Sequence, residues 1–156
     1  MVRQKTIQNS FEMYQSVLRE WAAEAPADMQ DEPPRERLLD SMLRLFEKLE
    51  AAKLRAPLNK EILAQPVPAP WQYIKRYYQP LHNAMRWQWL ALDIPPTLSP
   101  LSFLTPHLLA MAALRWLIIW LRDPSPGQAR LMAMLDRDLS RMDRTIQKFN
   151  ALKIKS

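Results

Sequence analysis

The chain has 156 residues, a net charge of +6, 48% apolar residues and 24% charged ones. That suits one globular domain with a self-sufficient core and excludes an intrinsically disordered chain. With no cysteine, two histidines (His82 and His107) and one glycine (Gly127), the sequence also excludes disulfides, thiolate metal sites, cysteine nucleophiles, a histidine-rich metal centre and any glycine-rich loop that cradles phosphate.

The first ten residues are polar, and no apolar run with a small-residue cleavage site follows. The start therefore does not read as a secretory signal, and a cytoplasmic location is expected. Fourteen prolines against a single glycine argue against glycine-rich β-turns and for helices punctuated by proline, which is tolerated in a first helical turn. The expectation is an all-α bundle of about six helices in one domain over residues 1–156, with frayed tails at 1–5 and 151–156.

The first helix is predicted over residues 6–25, with Phe11, Tyr14, Val17, Leu18 and Trp21 on one stripe. The second runs over 34–53, where Leu38, Met42, Leu45, Phe46 and Leu49 recur at helical spacing. A short third helix is predicted over 58–64. The fourth covers 69–92, with Ile74, Tyr78, Leu81, Met85, Trp89 and Leu92 as its buried stripe; Pro80 lies inside it and predicts a kink or a break. Ser99-Pro100 suggests one further short turn.

The fifth helix starts at Thr105-Pro106 and ends near Arg122. Residues 101–121 are mostly apolar, but Pro106, His107 and Arg115 interrupt them. An arginine at mid-span costs roughly 2.5–3.5 kcal/mol on insertion scales, so a helix at the centre of a bundle is the better reading. Ser125-Pro126-Gly127-Gln128 has the form of a capping box that opens a sixth helix. Its apolar stripe is Leu131, Leu135, Leu139, Met142, Ile146 and Phe149.

No catalytic constellation is present. A serine–histidine–acid triad needs a base oriented by a third group. His82 falls on an aromatic-rich helix and His107 in a first turn, positions that suit packed or solvated side chains. Asp136 and Asp138 are two residues apart on a helix and face different directions. A non-enzymatic protein with no cofactor and no metal is expected. Trp71, Tyr73, Tyr77, Tyr78, Trp87 and Trp89, interleaved with Lys75, Arg76 and Arg86, resemble an RNA-stacking pattern, although an amphipathic helix with its aromatics in the core explains them more simply. The fifth helix is apolar nearly all round and needs cover on every face. A homodimer through the last two helices, using Trp116, Trp120, Leu131, Leu135 and Leu139, is one way to supply that cover; a central position is the other. Arg130, Arg137, Arg141 and Arg144 form a basic face for an acidic partner. The last three line up, and Arg130 lies two turns earlier. Lys148, Lys153 and Lys155 around Phe149, Leu152 and Ile154 suit peripheral contact with anionic lipid, although a frayed helix end is the simpler account.

The stretch 114–139, Leu-Arg-Trp-Leu-Ile-Ile-Trp-Leu-Arg-Asp-Pro-Ser-Pro-Gly-Gln-Ala-Arg-Leu-Met-Ala-Met-Leu-Asp-Arg-Asp-Leu, resembles the end of TetR-family regulators. The resemblance is to a branch related to the lipid-binding accessory protein of ubiquinone biosynthesis. Residues 34–49, Pro-Arg-Glu-Arg-Leu-Leu-Asp-Ser-Met-Leu-Arg-Leu-Phe-Glu-Lys-Leu, are similar to that branch's helix after the DNA-binding module. Order and spacing agree over roughly residues 10–148. The resemblance implies an all-helical ligand-binding and dimerisation domain with a hydrophobic cavity between its middle helices. Phe46, Tyr78, Met85, Trp89 and Met111 would line that cavity, and an isoprenoid or quinone-like lipid would fill it. It does not carry DNA binding over, because too few residues precede the first helix for a helix-turn-helix, so nucleic acid is not an expected partner of this chain alone. The alternatives are a regulator-like protein without its DNA reader and an interaction module built on the basic face.

Overall fold

The computed structural model describes residues 2–24, 31–64, 70–92 and 105–154. Those residues form an all-α bundle of six α-helices with no strand among them: α1 Val2–Ala23, α2 Pro34–Ala51, α3 Arg55–Ile62, α4 Pro70–Ala91, α5 Thr105–Arg122 and α6 Ala129–Ile154. Helix α1 packs on α4 and α2, α4 packs on α5, α2 packs on α6, and α5 also touches α3 and α6. No described helix is long and apolar enough to cross a membrane.

The helix boundaries follow the chemistry of their ends. Pro34 opens α2 at the first helical position, where a missing N–H costs nothing. The helix closes through Lys53, whose φ of 55° puts a non-glycine residue in the left-handed region. That turn lets the Leu54 amide donate to the Leu49 carbonyl at 3.1 Å and drops Leu54 into the core. Helix α3 then starts at Arg55, three residues earlier than its sequence predicts, because Pro57 fits within a first turn. Helix α1 begins at Val2 and α6 runs as far as Ile154. The turn proposed at Ser99-Pro100 lies outside the described residues.

The capping box does not form. Residues 126–128 make one turn of 3-10 helix in which Gly127 (φ 73°) and Gln128 (φ 53°) are both left-handed. That geometry breaks the register a capping box needs. Asp123 caps α6 instead: one carboxylate oxygen accepts from the Ser125 hydroxyl (2.6 Å) and amide (3.1 Å), and the other accepts from the Leu131 amide (3.3 Å). The Ser125 hydroxyl, foremost, and these backbone amides hold the Asp123 carboxyl below its usual range.

The predicted stripes of α1 and α2 are inward, with only Phe11 of them left partly exposed. Helix α4 differs by a rotation of about one residue. Tyr77, Leu81, Ala84, Met85, Gln88 and Leu92 are buried, while Tyr78 and Trp89 lie partly exposed at the edge of the core. The reason is that α4 is covered from two sides, by α1 and by α5, so its buried arc is broader than one stripe. The side chains of Ile74, Ile146 and Phe149 lie outside the described residues. Helix α4 continues unbroken through Pro80, which has no amide hydrogen to give the Arg76 carbonyl. Helix α5 is central: Leu109, Ala110, Ala113, Leu114, Leu117 and Leu121 are all buried within the single chain.

Candidate functional site

A groove of about 650 Å³ runs between α1 and α4. The two helices are parallel: Phe11 and Tyr14 meet the Tyr77 ring edge-on, and thirteen and eleven residues further along, respectively, the Gln88 amide donates to the Glu24 carbonyl. Its α1 wall carries Phe11, Gln15, Leu18, Arg19 and Ala22, a row at helical spacing in which an alanine stands where a core helix would place a large side chain. The α4 wall carries Arg76, Gln79, Pro80, Asn83, Ala84 and Trp87. Small and amide side chains on both walls keep the helices' outer flanks from closing. Trp87 is 67% exposed at one end of the groove, an unusual position for so large an apolar surface. At the other end the Arg76 guanidinium lies over the Phe11 ring, 4.1 Å from its centre.

Beneath the groove lies a buried polar chain. The Tyr14 hydroxyl donates to the Tyr77 carbonyl (3.4 Å), and the Tyr77 hydroxyl donates to the Glu61 carboxylate. Burial, reinforced by that carboxylate, pushes the Tyr77 hydroxyl far above its ordinary value, so it stays a donor. A second buried link joins α1, α2 and α4. The Trp21 indole donates to the Ser41 carbonyl (2.7 Å), and the Gln88 amide donates to the Ser41 hydroxyl (2.8 Å). Both arrangements hold the floor of the groove rigid.

Of the residues predicted to line a cavity, Phe46, Met85, Tyr78 and Trp89 belong to one packed core and Met111 lies outside it. Phe46 is in the core, tilted against Trp120 with ring centres 6.0 Å apart. Met85 is buried, and Met111 is exposed on the outer side of α5. Tyr78 and Trp89 sit at the rim of the core, the Tyr78 hydroxyl 3.2 Å from His107 Nδ1. The predicted interface residues Trp116, Trp120, Leu131, Leu135 and Leu139 are each at most 3% exposed in the single chain. They bind the chain's own helices together and present no surface to a second copy. The Trp116 indole donates to Asp138 of α6 (2.9 Å), and the Trp120 ring lies under the Arg55 guanidinium.

Phe11 is expected from the sequence only as part of the α1 stripe, Gln15 and Arg19 carry no signal there, and Trp87 and Arg76 enter only as part of an aromatic-basic cluster. The available signal was the pair of alanine-bearing rows on α1 and α4. Trp71 and Tyr73 of that cluster have side chains outside the described residues, and Tyr77 is fully buried. The basic face is more regular than its sequence suggests. Because α6 is one helix from Ala129, Arg130 lies two turns before Arg137 on the same side, and Arg130, Arg137, Arg141, Arg144 and Lys148 form one exposed row. Among the described residues no group of three or more acidic or histidine side chains is placed to hold a metal.

No family model matches this chain, and no curated protein or solved structure matches it.

Proposed function

We propose that this chain is a non-enzymatic binder of an apolar small molecule and that the groove between α1 and α4 is the binding site. The observation that carries the reading is a groove of about 650 Å³ with a tryptophan left exposed on its wall. That volume falls in the range of sites that take drug-sized ligands, roughly 300–1,000 Å³. Covering the exposed Trp87 and the partly exposed Ala22 removes apolar surface from water at about 25 cal/mol per Å². The resemblance of residues 34–49 and 114–139 to the ligand-binding part of TetR-family regulators supports the same reading. It favours an isoprenoid or quinone-like lipid and a cytoplasmic accessory role in lipid or quinone metabolism.

Native mass spectrometry of gently purified protein tests this. A discrete apolar adduct is expected, and Asn83→Trp, which fills the groove from an exposed position, should remove it without changing helicity. An adduct retained unchanged in that variant would place the ligand elsewhere.

The exposed row of five cations on α6 favours a second reading, an interaction module for an acidic partner. Retention of that partner should fall steeply with added salt and be lost in Arg137→Glu/Arg141→Glu, whereas salt-insensitive capture would rule out docking by this row.

A further inference from the structure

We infer that the ligand of this groove is an amphiphile with an anionic oxygen head, a carboxylate or a phosphate, and that Arg76 seats the head; this rests on the groove reading above. The lining is chemically one-sided. It holds two guanidinium groups, Arg19 and Arg76, three amides, Gln15, Gln79 and Asn83, and no carboxylate. Five other described cations pair with acids, Arg35 with Asp136, Arg44 with Asp40, Lys48 with Glu20 and Glu24, Arg55 with Glu50 and Arg115 with Asp138, whereas the exposed row on α6 has no such partner among the described residues. Among the described residues Arg76 and Arg19 have no carboxylate partner.

The groove is also polar along its length. Because α1 and α4 are parallel, Arg76 shares one end with Phe11, and Gln15 and Gln79 follow one turn further in. Ala22, Ala84 and Trp87 line the other end. Eleven residues separate Arg76 from Trp87, about 16 Å along the helix axis. That spacing seats a charged head at one end and an alkyl chain along the rest. The guanidinium is held in place by its stack on Phe11, 4.1 Å from the ring centre, which leaves its edge N–H groups free to donate to two oxygens at once. Arg19 lines the groove about two turns beyond Phe11 along α1, so Arg76 is the cation at the head end.

Equilibrium binding by the full chain of three ligands with the same tail (dodecanoate, dodecyl phosphate and dodecanol, each below its micelle concentration) tests this. At least one of the two anionic ligands is expected to bind about tenfold or more tighter than dodecanol, with the advantage shrinking as salt is added. Arg76→Gln should weaken the anionic ligands about tenfold more than it weakens dodecanol, and Arg76→Lys should restore part of that difference. A carboxylate-only or phosphate-only preference names the head. Equal binding of all three by the unaltered chain would overturn the inference and leave the groove reading intact. Loss of dodecanol together with the anions in a folded Arg76→Gln chain would overturn the role given to Arg76. If no ligand binds, the groove reading itself fails, and this inference with it.

Discussion

The imidazoles of His82 and His107, the only two histidines of the chain, stack with ring centres 4.2 Å apart and 19° between their planes. They join α4 to α5, and Tyr78 extends the stack, its ring 5.8 Å from that of His82. His82 is buried, so desolvation lowers its pKa first, with the neighbouring His107 and Arg86 adding to the effect and a hydrogen bond with Asn83 opposing it. Below an ordinary value of 6.5 the unfolded chain therefore binds a proton that the folded chain resists. Stability should be full above about pH 6.5, fall as the pH drops below it, and flatten once the pH is under the folded value. Thermal unfolding followed between about pH 5 and pH 7.5 should show this slope, and His82→Gln should reduce it. An equal slope in the variant would assign the effect to other groups.

Tyr77→Phe removes the donor to one oxygen of the buried Glu61 carboxylate. The cost should be about 1–3 kcal/mol, the range for leaving a buried acceptor unsatisfied. Glu61→Met in the same background should cost less than the sum of the two single changes, because the group left stranded is then gone. Strict additivity in denaturant melts of the four chains would show that the pair is not coupled.

Arg55 links the start of α3 to the end of α5. Its guanidinium donates to the Trp120 and Asp123 carbonyls, pairs with Glu50 at 2.8 Å and lies 4.5 Å from the centre of the Trp120 ring. Arg55→Ala should cost about 2–3 kcal/mol. Arg55→Lys should recover less than half of that, since an ammonium cannot match the planar fork. Urea midpoints of the three chains decide this, and a fully stable lysine variant would reduce the site to a simple charge pair.

If the last two helices form a homodimer, the exposed edge of α5 is its candidate surface, where Leu108 and Met111 lie one turn apart at 59% and 57% exposure. We predict that Leu108→Glu/Met111→Glu shifts sedimentation from dimer to monomer and leaves the melting temperature nearly unchanged. Trp116→Ala should act differently, costing about 3–5 kcal/mol through a core cavity. A chain that sediments as a monomer from the outset removes the dimer altogether.

Periodicity was enough to place the helices. The spacing of Leu38, Met42, Leu45, Phe46 and Leu49 and the proline at position 34 are local properties, and α2 forms with that stripe buried and that proline first. Spacing shows which side of a helix is apolar but carries no information on what faces it. Trp116 and Trp120 looked like surface for a second copy because α5 is apolar nearly all round. Their burial depends on α2, α3 and α6 folding back over them, which is a long-range arrangement. The same limit hid the groove. Ala22 and Ala84 are 62 residues apart in the chain, and only the parallel packing of α1 on α4 brings both into one groove beside the exposed Trp87. Fold class and most helix limits were legible in the chain's order, since they follow from hydrogen bonding and apolar repeats within about twenty residues. Which apolar faces are covered and which side chains line the groove depends on pairs of helices far apart in the chain, and no local pattern names those pairs.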